Sequence, residues 1–166
     1  AVLTKTVAPM FEVVIWRSLL NAPPLAEVLA QWLQILARQT LHTVPGSLAE
    51  QVRLLLDHLR RQRCLLVLDN LESILQPDAA GAMRPGDEGY GQLLQQVGGS
   101  EHQSVLLLTS REQPQALTRL LGSNTAVRIL PLAGLDPGAG YALLQANGLR
   151  ASVTEAHALV VHYSGN

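Results

Sequence analysis

The sequence is short of cysteine, of aromatic side chains and of any charge imbalance. Cys64 is the sole cysteine in 166 residues. An internal disulfide is therefore excluded, and the chain suits a reducing, cytoplasmic setting. Aromatic residues make up 4% of the chain, too few for a series of stacking platforms for single-stranded nucleic acid. The formal net charge is −1, and the arginines are scattered, so no basic field calls for nucleic acid or an anionic membrane. The five histidines are dispersed; His157 and His162 do not share a helix face, and no zinc spacing is present. No apolar run approaches the ~20 residues of a membrane span. The first residues are also not expected to be a secretory leader, for want of a charged start, a long apolar stretch and a small-residue cleavage site. Ala1 at the start and "HYSGN" at the end read as cut points, so a piece of something longer is expected.

What the chain does contain is apolar bulk in alternating periods. Hydrophobic residues are 48% of the total, enough for one real core. "FEVVIW" (11–16) reads as a buried strand. Pro23 and Pro24 open a helix with Leu25, Val28, Leu29, Trp32, Ile35 and Leu36 at helical spacing. After the break at "VPG" (44–46), Ser47 and Glu50 form a capping-box pattern, followed by Val52, Leu55, Leu56 and Leu59 on one face. A second strand is expected over Cys64–Asp69 and a long exposed loop over 76–89. Next come a helix over 90–97, a third strand over 104–109 and a helix closing on Gly122. A fourth strand in "AVRILPL", centred on 127–131, precedes a helix capped by Asp136 and ending at Gly148. Ser152 and Glu155 cap a last helix with Ala156, Leu159, Val160 and Tyr163 inward. Apolar strands separated by helices predict an α/β fold, a parallel sheet covered on both faces. A core domain over 1–135 and a helical segment over 136–166 are expected.

In such sheets ligands sit beyond the carboxyl ends of the strands. Two strands end in polar groups there. "LLVLDNLE" supplies Asp69, Asn70 and Glu72; "VLLLTSRE" supplies Thr109, Ser110 and Arg111. A carboxylate, a hydroxyl pair and a guanidinium on one rim suit a magnesium-bound polyphosphate. Each segment alone has a plainer reading, because Asp, Thr and Ser are common turn formers. Cys64, at the far end of its strand, reads as core filler. Trp16 and Trp32 read as packing residues.

"RCLLVLDNLESIL" resembles the Walker B segment of NB-ARC ATPases, members of the STAND class of signal-transduction NTPases. "SVLLLTSREQP" is similar to their sensor-1 segment. "FEVVIWRSLLNAPPL" and "VRILPLAGLDPGAGYALL" resemble further segments of bacterial multidomain members that often carry WD-type repeats, and "HYSGN" resembles the start of "GNPLAL". The resemblance runs the length of the chain. It implies a P-loop NTPase-like three-layer core that binds ATP or ADP with Mg2+ and couples to other domains of the same chain, with a homo-oligomer possible on activation. Asp69 would hold magnesium through water. Asn70 falls where many relatives have a second acid; an amide cannot accept a proton as a base, so Glu72 would have to substitute. Arg111 would sense the terminal phosphate, positioned by Thr109 and Ser110. Gly165 and Asn166 would begin the motif lying near adenine.

One departure is large. The phosphate-cradling G-x-x-x-x-G-K-[ST] motif is represented only by "TKT" at 4–6, so the cradle and its strand are expected upstream of Ala1. In the family the sheet order is five-one-four-three-two. Without strand one, strand 127–131 is expected either to pair directly with strand 104–109, the favoured outcome, or to detach together with the final helices. Nucleotide affinity of these 166 residues alone should then be negligible. Two functions remain: a nucleotide-dependent switch, or a non-catalytic scaffold on a degenerate ATPase fold. A metabolic enzyme is disfavoured, since no nucleophile triad or dinucleotide fingerprint is visible.

Overall fold

A computed structural model describes residues 6–37, 43–121, 126–149 and 152–163. The chain divides into two units, Ala1–Val127 and Arg128–Asn166, a division that falls before the boundary expected after 135.

The first unit is α/β. Strands β1 (Val13–Ser18), β2 (Cys64–Asp69) and β3 (Val105–Leu108) form one parallel sheet in the order β1-β2-β3. Helices α1 (Leu25–Leu36) and α2 (Leu48–Arg61) connect β1 to β2, and α3 (Glu88–Gly99) connects β2 to β3. Short α4 (Gln115–Leu121) follows β3. Parallel crossovers are right-handed almost without exception. Two successive steps in one direction therefore put both connections on the same side of the sheet.

The core shows this directly. Ile15, Cys64, Leu66 and Leu68 point to one face and pack with the apolar stripes of α1, α2 and α3. On the other face Leu65 and Val67 are also buried, but they lie outside that core, and the flanking Trp16 and Val105 are each 43% exposed. The described crossovers thus build two layers where the sequence suggests three. Trp32 is buried as expected, whereas Trp16 is not.

Several expectations shift at the residue level. β1 begins at Val13, two residues late, and Phe11 instead lies under the Arg63 guanidinium, 5.5 Å from its centre. On α1 the inward position is Leu33, while Ile35 is 49% exposed. Ser47 accepts a hydrogen bond from the Glu50 amide, but the Glu50 carboxylate returns to the Ser47 hydroxyl rather than its backbone. The loop over 76–89 is organised. Leu75 and Met83 form an antiparallel bridge, Arg84 donates to the Leu75 carbonyl, and the Gln76 side chain donates to the Met83 carbonyl.

The fourth strand does not form. Residues 127–131 have no regular structure, and the expected ladder to 104–109 is not made; the sheet of the described residues has three strands. Strand chemistry alone does not make a strand, which is a property of a pair, and Pro131 contributes no backbone donor.

The amino end of the sheet is pinned by Ser104, 8% exposed. Its hydroxyl accepts from the Cys64 amide at 3.0 Å and lies 2.9 and 2.8 Å from the Leu59 and Gln62 carbonyls, between which its single proton is shared. It thereby ties the last turn of α2 to β2 and β3. Ser104→Ala leaves these groups unsatisfied, a loss of about 1–3 kcal/mol for a buried hydrogen-bonding group. The urea midpoint should fall accordingly; an unchanged midpoint would remove this role from Ser104. Burial raises the neighbouring Cys64 thiol above its usual pKa, consistent with core filler.

The second unit consists of α5 (Pro137–Ala146) and α6 (Val153–His162). Asp136 caps α5 by accepting from the Ala139 amide, and Ser152 with Glu155 completes a full capping box on α6. Those two hydrogen bonds from Ser152 hold the Glu155 carboxyl below the usual range. The helices approach at Gly140, where a Cβ would stand 2.2 Å from a Val160 methyl. Two helices bury little: Ala156 is covered, whereas Leu159 (46%) and Tyr163 (59%) are exposed, contrary to the expected inward stripe.

Candidate functional site

Sheet register brings the two polar strand ends together. Leu65 pairs with Val105 and Val67 with Leu107. Continuing the alternation places Asp69 and Thr109 on one face, opposite the helices. There the Thr109 hydroxyl donates to Asp69 Oδ1 and accepts from the Asn70 amide at 3.1 Å. The Thr109 backbone also donates to the Leu68 carbonyl and accepts from the Leu71 amide. Thr109 thus fixes both the rotamer of Asp69 and the turn that follows it. Oδ2 of Asp69 has no protein donor among the described residues.

Asn70 sits in the left-handed region, φ 62° and ψ 49°. Asparagine tolerates that conformation better than most residues, which supplies a conformational reason for the amide at this position. A 3-10 turn over Leu71–Ile74 follows, with Leu71 and Ile74 fully buried. Their anchoring turns Glu72 toward the rim. Glu72 Oε1 is 3.5 Å from Arg111 Nε, and Oε2 is buried without a donor. Ser110 accepts from the Glu112 amide at 3.3 Å, a local turn contact. Arg111 is 89% exposed.

Asp69, Asn70, Glu72, Thr109, Ser110 and Arg111 therefore share one rim, linked through Thr109 and through the Glu72–Arg111 pair. Gly165, Asn166 and the Thr4-Lys5 pair lie outside the described residues. Among the described residues no group of three or more His, Cys, Asp or Glu could hold a metal. Asp69 could contribute one carboxylate, which suits Mg2+ only when water and phosphate oxygens complete its shell. A groove lined by Leu48, Val52, Gly89, Leu93 and Gln96 includes none of the rim residues.

Two contributions escape the sequence reading. The end of β1 is also polar: Ser18 pairs with Asp69, and the Asp69 carbonyl accepts from the Leu19 amide at 2.8 Å. The polar "RS" closing "VIWRS" was the available signal. The other is Gly81, whose carbonyl accepts from the Gln115 amide at 2.9 Å. With φ +80°, an added Cβ would stand 2.0 Å from the Gln113 carbonyl oxygen. Gly81 thus clamps the 76–87 loop onto the segment leaving Arg111, and no sequence spacing reveals that contact.

No family model matches the chain. It is 46% identical over 157 residues to an uncharacterized WD repeat-containing protein of Nostoc sp. (strain PCC 7120), a match covering 93% of this chain. It spans 12% of that relative's length. Among the described residues no helix is long and apolar enough to cross a membrane.

Proposed function

We propose that the chain is the Walker B and sensor-1 portion of an NB-ARC-type, P-loop NTPase-like core, part of an ATP/ADP-dependent signalling switch. The observation carrying this reading is the single rim on which Asp69 and Arg111 stand, each set by a side chain of the other's segment. Two further features support it. β3 is an edge strand of wholly apolar sequence and incomplete burial, as expected where a further strand completes a parallel sheet. The Nostoc relative is named for WD repeats, in keeping with the WD-type repeats of multidomain members. On this reading the protein works in the cytoplasm with other domains of its own chain and assembles into homo-oligomers on activation.

In this reading Asp69 orients water around Mg2+, held ready by the Thr109 hydroxyl. Bound magnesium would neutralise charge between the outer phosphates. Arg111 reaches the terminal phosphate from solvent. Asn70 holds the turn and takes no proton; Glu72 is the acceptor left for the attacking water, which makes hydrolysis slow. Asp69→Ala in the full-length protein should abolish most of the magnesium dependence of ATP binding while the fold persists. A magnesium titration identical to the parent's would take Asp69 out of the site.

A second reading, a non-catalytic scaffold, is favoured by one observation: Asn70 is accounted for by backbone conformation and lacks a base's chemistry. The reading frame before Ala1 separates the two. A glycine-rich Lys-Ser/Thr motif there supports the switch, and its absence supports the scaffold.

A further inference from the structure

The Glu72–Arg111 pair is asymmetric in a way that suggests specificity. Glu72 is 28% exposed, seated between the fully buried Leu71 and Ile74, with Oε2 shut away from solvent. Arg111 is 89% exposed, with Nε alone engaged. The carboxylate is therefore the fixed half of the pair and the guanidinium the movable half. A planar guanidinium exchanges readily between a carboxylate and a phosphate, because both present matching oxygen pairs.

Resting on the switch reading above, we propose that Glu72 is a specificity-determining competitor for Arg111. It occupies the arginine at rest, so only an anion that reaches Arg111 and carries more charge than a carboxylate displaces it. A nucleoside triphosphate offers such a terminal group at the rim. A diphosphate, one phosphate shorter, leaves the pair closed. Glu72 thus taxes only those ligands that use Arg111, which is selection against the wrong partner by a competing contact. Opening the pair also frees Oε1 of Glu72 toward the rim, so the acceptor becomes available only when the triphosphate is in place.

The test is a double-mutant cycle in the full-length protein, with ATP and ADP binding measured by calorimetry. Glu72→Gln removes the charge that holds Arg111. It should tighten ATP about two- to fivefold, the range of an exposed ion pair, and leave ADP unchanged. The gain should disappear in the Glu72→Gln/Arg111→Ala double variant, and it should shrink in 1 M salt, where the pair is screened in the parent as well. Glu72→Ala, which also removes the carboxylate, should give the same ATP-specific gain and serves if the glutamine variant folds poorly. Equal tightening of both nucleotides would show a general field effect and overturn the competitor role, as would a gain that survives without Arg111, or no gain at all. Failure of the parent protein to bind either nucleotide would remove the switch reading itself, and the competitor role with it.

Discussion

Replacing Arg111 with alanine in the full-length protein should weaken ATP binding by about ten- to a hundredfold, while ADP affinity changes by less than about twofold. The magnitude follows from a hydrogen bond between charged groups, worth about 1.5–3 kcal/mol. The asymmetry between nucleotides follows from position. Arg111 projects into solvent at the end of the β3 segment, and its ion-pair partner among the described residues, Glu72, stands at the same rim. A contact made there belongs to the outermost phosphate, which ADP lacks. Calorimetry with each nucleotide reads the effect. Equal losses for the two would show that Arg111 supports the nucleotide as a whole and would end its role as a sensor. Because Arg111 is so exposed, the substitution should leave the unfolding free energy from urea titration within about 0.5 kcal/mol of the parent, so a binding loss cannot be attributed to unfolding.

Gly81→Ala is expected to be the most damaging single-methyl change outside the helices, at about 2–5 kcal/mol. Two terms add. A residue other than glycine in left-handed backbone costs roughly 1–2 kcal/mol, and the loop must withdraw from Gln113, giving up the Gln115-to-Gly81 hydrogen bond at about 1–3 kcal/mol. The clash is with backbone at 2.0 Å, so no side chain can rotate out of the way. Where the loop undocks without global unfolding, hydrogen exchange should quicken over 76–86 and at Gln115 and leave β2 protected. Gly46→Ala is the matched control: a Cβ there meets nothing within 4 Å, and its φ is not positive. The idea fails if the two substitutions shift stability equally.

The parts of this fold that were legible in sequence are those fixed by local chemistry. Ser152 and Glu155 announce the start of α6 because their hydrogen bonds close within one turn. Cys64 to Leu68 announce a central strand because every residue is apolar and both faces are buried. The meeting of Asp69 with Thr109 was legible in outline, since two parallel strands ending in polar residues must bring those ends near each other. What escaped depends on partners distant in sequence. "AVRILPL" has strand chemistry, but strand formation is a property of a pair. The inward choice of Leu33 over Ile35 depends on how α1 is rotated against its neighbours, which a stripe wide enough to include both leaves open. Asn70 looked like a lost acid in the sequence; its left-handed backbone supplies a different reason, visible only in three dimensions.

The three described strands add outward in the order in which they are made. Each newly synthesised strand can add to the open side of the previous one, with the intervening helix already laid down, and no earlier pairing must be undone to admit a later one. Assembly of these three strands can then proceed stepwise, each parallel crossover closing after its intervening helices have formed, since such long-range pairing is intrinsically slow. A nascent chain halted once residue 75 has cleared the ribosomal exit tunnel should already protect β1 and β2, before β3 has emerged.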